Sequence, residues 1–322
     1  MAGLRSSAVA SDRAPVTDPA RSGPDPARSG PDPVAGLTRL LEPLHSMIYF
    51  APEPGEELAE LGIEKQRSQY FAQRAAAMGA VGPGVVAATF YNFNPALVAR
   101  SVPDVWSRAA PATVVNARLR AADRALRRLL GDAIDLRDLA EAADLARRAT
   151  EGATPEDRPL YAAHADLPFP DEPHLQLWHA VTLLREYRGD AHLHALLAAG
   201  LSGIEALVTH TATGRGFRVE FAQASRGWSP EQWGAAVGGL TARGVLDAGG
   251  ALTPDGVRLR ESVETETSRT SRAPWEHLGD AACGRLADLA RPLVSRLSEN
   301  GAFPDAVFAP GSDRARRLKE DA

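Results

Sequence analysis

Several groups of residues in this chain carry side chains that bind or react. His179, Leu183 and Glu186 stand at i, i+4 and i+7, which puts His179 and Glu186 on one side of one helix, and Arg185, Arg188, Asp190 and His192 lie beside them. Imidazole and carboxylate at this spacing suit zinc or iron. HExxH is absent and no cysteine is near, so no metal ligands are assigned. The same residues also fit a buried ion network of Arg185, Glu186, Arg188 and Asp190, with His179 hydrogen-bonded in the core. His45 and Tyr49 in HSMIYF, spaced i and i+4, and Tyr91, Asn92 and Asn94 in FYNFN offer proton donors and acceptors to a cavity wall. Aromatic packing with the polar tips bonded to backbone is the competing reading. The candidate ligand-binding set is His45, Tyr49, Tyr91, Asn92, His179, Arg185, Glu186, Asp190 and His192. His164 lies on a connecting segment, where pockets often form. Catalytic residues and cofactors stay unknown.

The exclusions are firmer. GAVGPG is followed by no lysine and is not a P-loop, GxGxxG does not open a helix, and GxSxG is absent. The chain has 322 residues, 36 Lys plus Arg against 41 Asp plus Glu, and a formal charge of -5, so coating nucleic acid through charge alone is ruled out. The one cysteine, Cys283, forms no internal disulfide and reads as structural. No apolar run reaches the roughly 18 residues of a membrane span, and residues 1–12 lack a secretory core. A cytoplasmic protein without membrane contact is expected.

The elements that must position these groups read as mainly helical. Residues 1–35, with DPARSGP twice in tandem, read as a disordered Pro/Gly/Ser-rich tail. Residues 36–155 read as an N-terminal helical domain. In it Pro43 starts or kinks a helix, Val85 to Phe93 fits a strand or a buried helix, and Ala112–Leu130 is amphipathic with Arg118 on its polar side. Residues 156–305 read as a second helical lobe. Gly189 and Gly200 stop two of its helices, Ser202 starts a third, and Ser229 and Thr253 cap two more. VLDAGGALT between the last two is a hairpin signal, so this lobe is expected to be a winged helix. Residues 306–322 read as a charged flexible tail.

The stretch ARGVLDAGGALTPDGVRLRESVETETSR resembles the wing and following helix of MarR-type proteins, where a Leu and Gly and then L-T-x-x-G precede a Glu- and Thr-rich helix. LLEPLHSMIYFAPE, YFAQRAAAMG, ATFYNFNPALV, LWHAVTLLREYRGDAHLHALLAAGLSGIEALV and RGWSPEQW extend the likeness. They resemble an uncharacterised actinobacterial family of winged-helix (helix-turn-helix) proteins, from about Gly36 to about Pro304. The resemblance implies DNA as a partner, with Arg215, Arg218 and Arg243 as candidate contacts. The leading reading is a homodimeric, ligand-responsive transcriptional regulator that senses a small molecule between its lobes. The charge inventory weakens the DNA reading, because the wing DAGGA holds no basic residue. The alternative is a biosynthetic or modifying enzyme using a polar His/Glu/Tyr pocket, with or without a metal, between two helical lobes.

Overall fold

A computed structural model of the chain describes residues 33–131 and 135–309. The expected tail at 1–32, and 310–322 of the expected C-terminal tail, lie outside the described residues. Sixteen α-helices are described: α1 (Pro33–Ser46), α2 (Glu53–Ala59), α3 (Gln66–Ala75), α4 (Pro83–Phe90), α5 (Pro95–Ala99), α6 (Val102–Arg108), α7 (Pro111–Leu130), α8 (Leu136–Thr150), α9 (Pro159–Ala165), α10 (Pro173–Ala198), α11 (Gly203–Thr211), α12 (Val219–Arg226), α13 (Pro230–Ala242), α14 (Pro254–Thr270), α15 (Ala273–Leu278) and α16 (Asp280–Glu299).

The axis of the fold is α10. Its buried residues lie all around it rather than in one stripe, as expected of a helix enclosed by neighbours. It packs against α8, α14, α1, α9 and α7. The helix runs straight through Gly189, correcting the expected stop there. Glycine in a helix costs about 1 kcal/mol relative to alanine, and Leu183, Leu184 and Tyr187 before it and Ala191 and Leu196 after it are all buried. Each large side chain so enclosed contributes roughly 1.5–3 kcal/mol, so packing outweighs propensity. Likewise α1 continues through Pro43, with Leu41, Leu44, Met47 and Ile48 at 2 % exposure or less. The largest core joins Leu37 and Leu41 of α1, Leu126 of α7, Trp178 of α10 and Leu286 and Leu293 of α16.

The expected wing is not formed. Among the described residues there is no strand or sheet, only two isolated antiparallel bridges, Leu246 with Leu252 and Phe217 with Phe308. The reason is length. α13 gives way to Gly244, and Thr253 already caps α14 by accepting from Gly256 N–H at 3.1 Å. Inside that span Asp247 folds a tight turn, its Oδ1 accepting from Gly249 N–H (2.8 Å) and Ala251 N–H (2.9 Å). One bridge pair is all that remains, so the fold is all-helical rather than a winged helix. Val85–Phe90 lies in a helix, α4. The expected caps at Ser202, Ser229 and Thr253 are present, the first two as capping boxes with Glu205 and Gln232.

Candidate functional site

α12 and α13 are joined by three residues, Gly227, Trp228 and Ser229. Gly227 is left-handed at φ +74, and a Cβ there would fall 2.8 Å from Leu97 Cδ2, so the turn requires glycine on both counts. Two helices joined through a short glycine turn make a helix-turn-helix unit. The FYNFN segment holds that turn. Asn94 N–H donates to Arg226 O at 2.9 Å, and Asn94 Nδ2 donates to Gly227 O at 3.0 Å and Gln232 Oε1 at 3.2 Å. Trp228 Nε1 donates to Asn92 O at 2.9 Å, and the Tyr91 hydroxyl donates to Leu201 O at 2.5 Å. Asn92 therefore braces this unit and Tyr91 the segment that leads into α11. The sequence reading missed α12 altogether, because VEFAQASR is short and weakly patterned. α10 and α11 also meet at a bend of 100°, but the second helix of that pair, α11, buries Ala206, Leu207, Val208, Thr209 and Thr211.

The outward face of α13 is chemically sparse. Gly234, Ala235, Gly238, Gly239 and Ala242 are exposed, along with Glu231 and Gln232. Arg243 follows the helix, and its Nη1 lies 2.9 Å from Glu205 Oε1. Arg215 and Arg218 are exposed on the loop ahead of α12, and Arg218 Nε donates to Phe308 O at 3.2 Å.

Behind α12 lies a cavity of about 920 Å³, within the size range of small-molecule sites. Its walls are rich in aromatic rings, among them Tyr49, Tyr70, Phe93, Phe217, Phe221 and Phe308. The segment after α16 straps across it. Ala309 N–H donates to Gly216 O at 2.9 Å, Arg218 N–H donates to Val307 O at 3.1 Å, and the Phe217 and Phe308 rings stack at 5.3 Å. Residues 306–309 of the expected tail thus close onto the loop that leads into the helix-turn-helix.

At one end of the cavity Tyr49 and Arg185 reach into a buried polar cluster. Thr182 Oγ1 donates to Trp178 O at 2.8 Å, so it accepts from His45 Nδ1 at 3.0 Å. His45 Nε2 is then left to accept from the Tyr49 hydroxyl at 2.9 Å. Burial, helped by Arg185, holds the His45 pKa well below the usual histidine range and keeps the ring neutral, as this chain of bonds requires. Burial also raises the Tyr49 pKa, so the phenol stays protonated. Glu186, 1 % exposed, accepts from Arg74 Nη2 at 3.2 Å on each oxygen and from Arg185 Nη1 at 2.7 Å. Burial alone would raise its pKa, but Arg185 and Arg74 overcome burial and hold it well below the carboxylate range. Arg74 also lies 4.5 Å over the Phe90 ring and donates to the Tyr70 hydroxyl at 3.1 Å.

Of the nine candidate ligand residues, His45, Tyr49, Arg185 and Glu186 come together here. The other three on α10 scatter. His179 sits edge-on to Phe169 at 4.7 Å, its Nε2 buried without a partner. Asp190 accepts from Tyr161 N–H at 3.0 Å, and burial pushes its pKa up to about 6. His192 Nδ1 donates to Thr267 Oγ1 at 2.9 Å. The metal version of the pocket fails on geometry. Because α10 is unbroken, His192 lies roughly 120° around the helix from Glu186, and among the described residues no three His, Cys, Asp or Glu side chains gather as ligands. Arg188 pairs with Glu264 at 2.7 Å and stands outside the Glu186 cluster.

The sequence reading misses Arg74 and puts Arg118 on the wrong side of its helix. Arg118 is buried on α7, four residues from both Val114 and Ala122, on the apolar stripe rather than the polar side. Its Nη1 donates to His164 Nε2 at 3.0 Å, since His164 Nδ1 is spent on Leu160 O at 2.8 Å. Arg74 likewise interrupts the apolar run YFAQRAAAM. A lone arginine on an apolar face was the available signal in both cases.

With that geometry in place, comparison with known families is decisive on class. Residues 34–304 match a helix-turn-helix family, and the chain belongs to it. No curated protein and no solved structure matches the chain. Among the described residues no single helix is long and apolar enough to cross a membrane.

Proposed function

We propose that the chain is a cytoplasmic DNA-binding regulator whose helix-turn-helix responds to a small molecule held in the cavity. One observation carries this reading: the cavity and the helix-turn-helix share a wall. Phe221, Ala224, Ser225 and Arg226, which line the cavity, all belong to α12, and α12 leads through three residues into α13. A ligand that spreads the cavity shifts α12 and tilts the helix that faces the groove. The strap through Phe308 ties the same loop to the opposite wall, so occupancy at either side reaches the turn.

The DNA contacts in this reading are few. α13 presents small residues that allow close approach to the backbone, and Arg215, Arg218 and Arg243 supply phosphate contacts. A second copy of the chain would double them. The test is selection of bound duplexes from a random library, followed by anisotropy titrations over a salt series. Each phosphate contact contributes about 0.9 to the slope of log K against log salt. The reading expects specific binding, with a shallower slope in the Arg215→Ala/Arg218→Ala variant. Absence of any enriched duplex at low salt overturns it.

A further inference from the structure

Among the described residues that line the cavity are two half-buried arginines, Arg185 and Arg226. Arg185 is neutralised by Glu186 and faces Glu42 at 3.8 Å. Arg226 has no such partner. Among the described residues no carboxylate lies within ion-pair distance of it. Its Nη1 donates only to Ser225 Oγ at 2.9 Å, and its Nε is buried with no acceptor. Its guanidinium is held 4.7 Å over the Phe93 ring and 5.4 Å over the Phe217 ring, both of which line the cavity. A guanidinium packed against two rings is held in place, and a half-buried cation without a counter-charge is open to pairing with an anion. Burial lowers the Arg226 pKa, the direction expected of an uncompensated cation.

We infer that the cavity takes an apolar, ring-bearing small-molecule anion, a carboxylate or sulfonate, with Arg226 as its counter-charge. The aromatic walls accept the ring system. The acidic head docks on the Arg226 guanidinium, whose planar fork suits a two-oxygen anion. Tyr49 and Arg185 line the same cavity, and the Arg185 guanidinium serves a second polar group of the ligand. This inference rests on the cavity half of the proposed function and not on DNA binding. It also gives Arg226 a part in coupling: it is the last residue of α12, and its own carbonyl accepts from Asn94 N–H at 2.9 Å, so an anion drawn to its side chain pulls on the turn itself.

The experiment compares two fluorescent probes with nearly the same rings on the full chain: anilinonaphthalene sulfonate, an anion, and phenylnaphthylamine, its neutral counterpart. The expected result is saturable one-site binding, with the anion bound about tenfold or more tighter, the scale of one charge-assisted contact. Arg226→Gln should erase that preference while leaving the neutral probe's affinity within about twofold, and Arg226→Lys should keep most of it. Equal affinities in the wild type, or an unchanged preference in Arg226→Gln, overturn the inference. Should Arg226→Gln not fold, displacement of the neutral probe from the wild type by decanoate but not by decanol is the deciding result, and equal displacement by both overturns it. Anion preference without DNA binding refutes the regulator reading alone, whereas DNA binding without anion preference refutes this inference alone.

Discussion

Glu186→Gln probes the buried charge cluster most sharply. In the native protein Glu186 serves two arginines through three charge-assisted bonds, at 3.2, 3.2 and 2.7 Å, with 1 % of its surface exposed. Glutamine keeps the shape but offers one acceptor oxygen. Its amide nitrogen would point donor hydrogens at a guanidinium, and the negative charge that holds Arg74 and Arg185 together would be gone. Breaking a buried pair by removing one partner costs about 3–5 kcal/mol, mostly for the charge left behind. Against a total stability of about 5–15 kcal/mol, that is about a fifth or more. At about 2–4 °C per kcal/mol for a chain of this order, the melting temperature should fall by roughly 6–20 °C. Chemical denaturation gives the free energy directly, with the slope against denaturant checked for constancy. A cycle with Arg74→Met separates the pair from its surroundings and should show a coupling above about 1 kcal/mol. A cost for Glu186→Gln below about 1 kcal/mol, or additive effects in the cycle, would refute the claim that Glu186 compensates these charges.

Further outcomes follow from other parts of the fold. Acidification should destabilise the protein. His164 and His179, with pKa values lowered by burial to about 4, contribute stability that is present above the ordinary value near 6.5 and lost as pH falls from there through 4. Asp190, raised to about 6, acts in the opposite sense, since its cost at neutral pH is relieved below 6. Melting temperature measured from pH 8 to pH 4.5 should therefore drop, less steeply than the histidines alone would give, and Asp190→Asn should raise stability at pH 8 but not at pH 4.5. Gly203→Ala should destabilise, because its Cβ would lie 2.0 Å from Tyr91 O, whereas Gly238→Ala, with nothing within 4 Å, should stabilise by up to about 1 kcal/mol in the same urea titration. Asn94→Ala removes the clamp on the Gly227 turn and the cap that accepts from Ala96 N–H at 2.9 Å. It should cost about 1–2 kcal/mol and speed amide exchange at residues 226–229.

Helix starts were legible in the sequence because their signals are local: Ser229-Pro230 with Gln232, Thr253-Pro254, and Ser202 with Glu205. What failed depended on distant neighbours. Gly189 looks like a stop until the buried residues on both sides of it are known to share one enclosed helix. VLDAGGALT has the composition of a hairpin, yet helices on both sides leave room for a single bridge. The site was half legible. The i, i+4 spacing of His45 and Tyr49 and the charged run around Glu186 are visible in the sequence, and His45, Tyr49, Arg185 and Glu186 lie together in the fold. Asp190 and His192 look like companions of Glu186 only if the helix breaks at Gly189, and His179, though on the same side of α10, lies two turns away against Phe169. The cavity was invisible, because it forms where residues near 50, 70, 220 and 305 meet, and Arg226 looked like one more surface cation.

The most direct test of the account joins its two halves. DNA affinity of the full chain for a selected duplex is measured by anisotropy with and without saturating anilinonaphthalene sulfonate. Because the cavity and α13 are linked through α12, the dissociation constant should change by about fivefold or more, the lower range of coupled sites, and the Arg226→Gln variant should show no such change. A DNA affinity that stays the same while the probe fills the cavity would contradict the account.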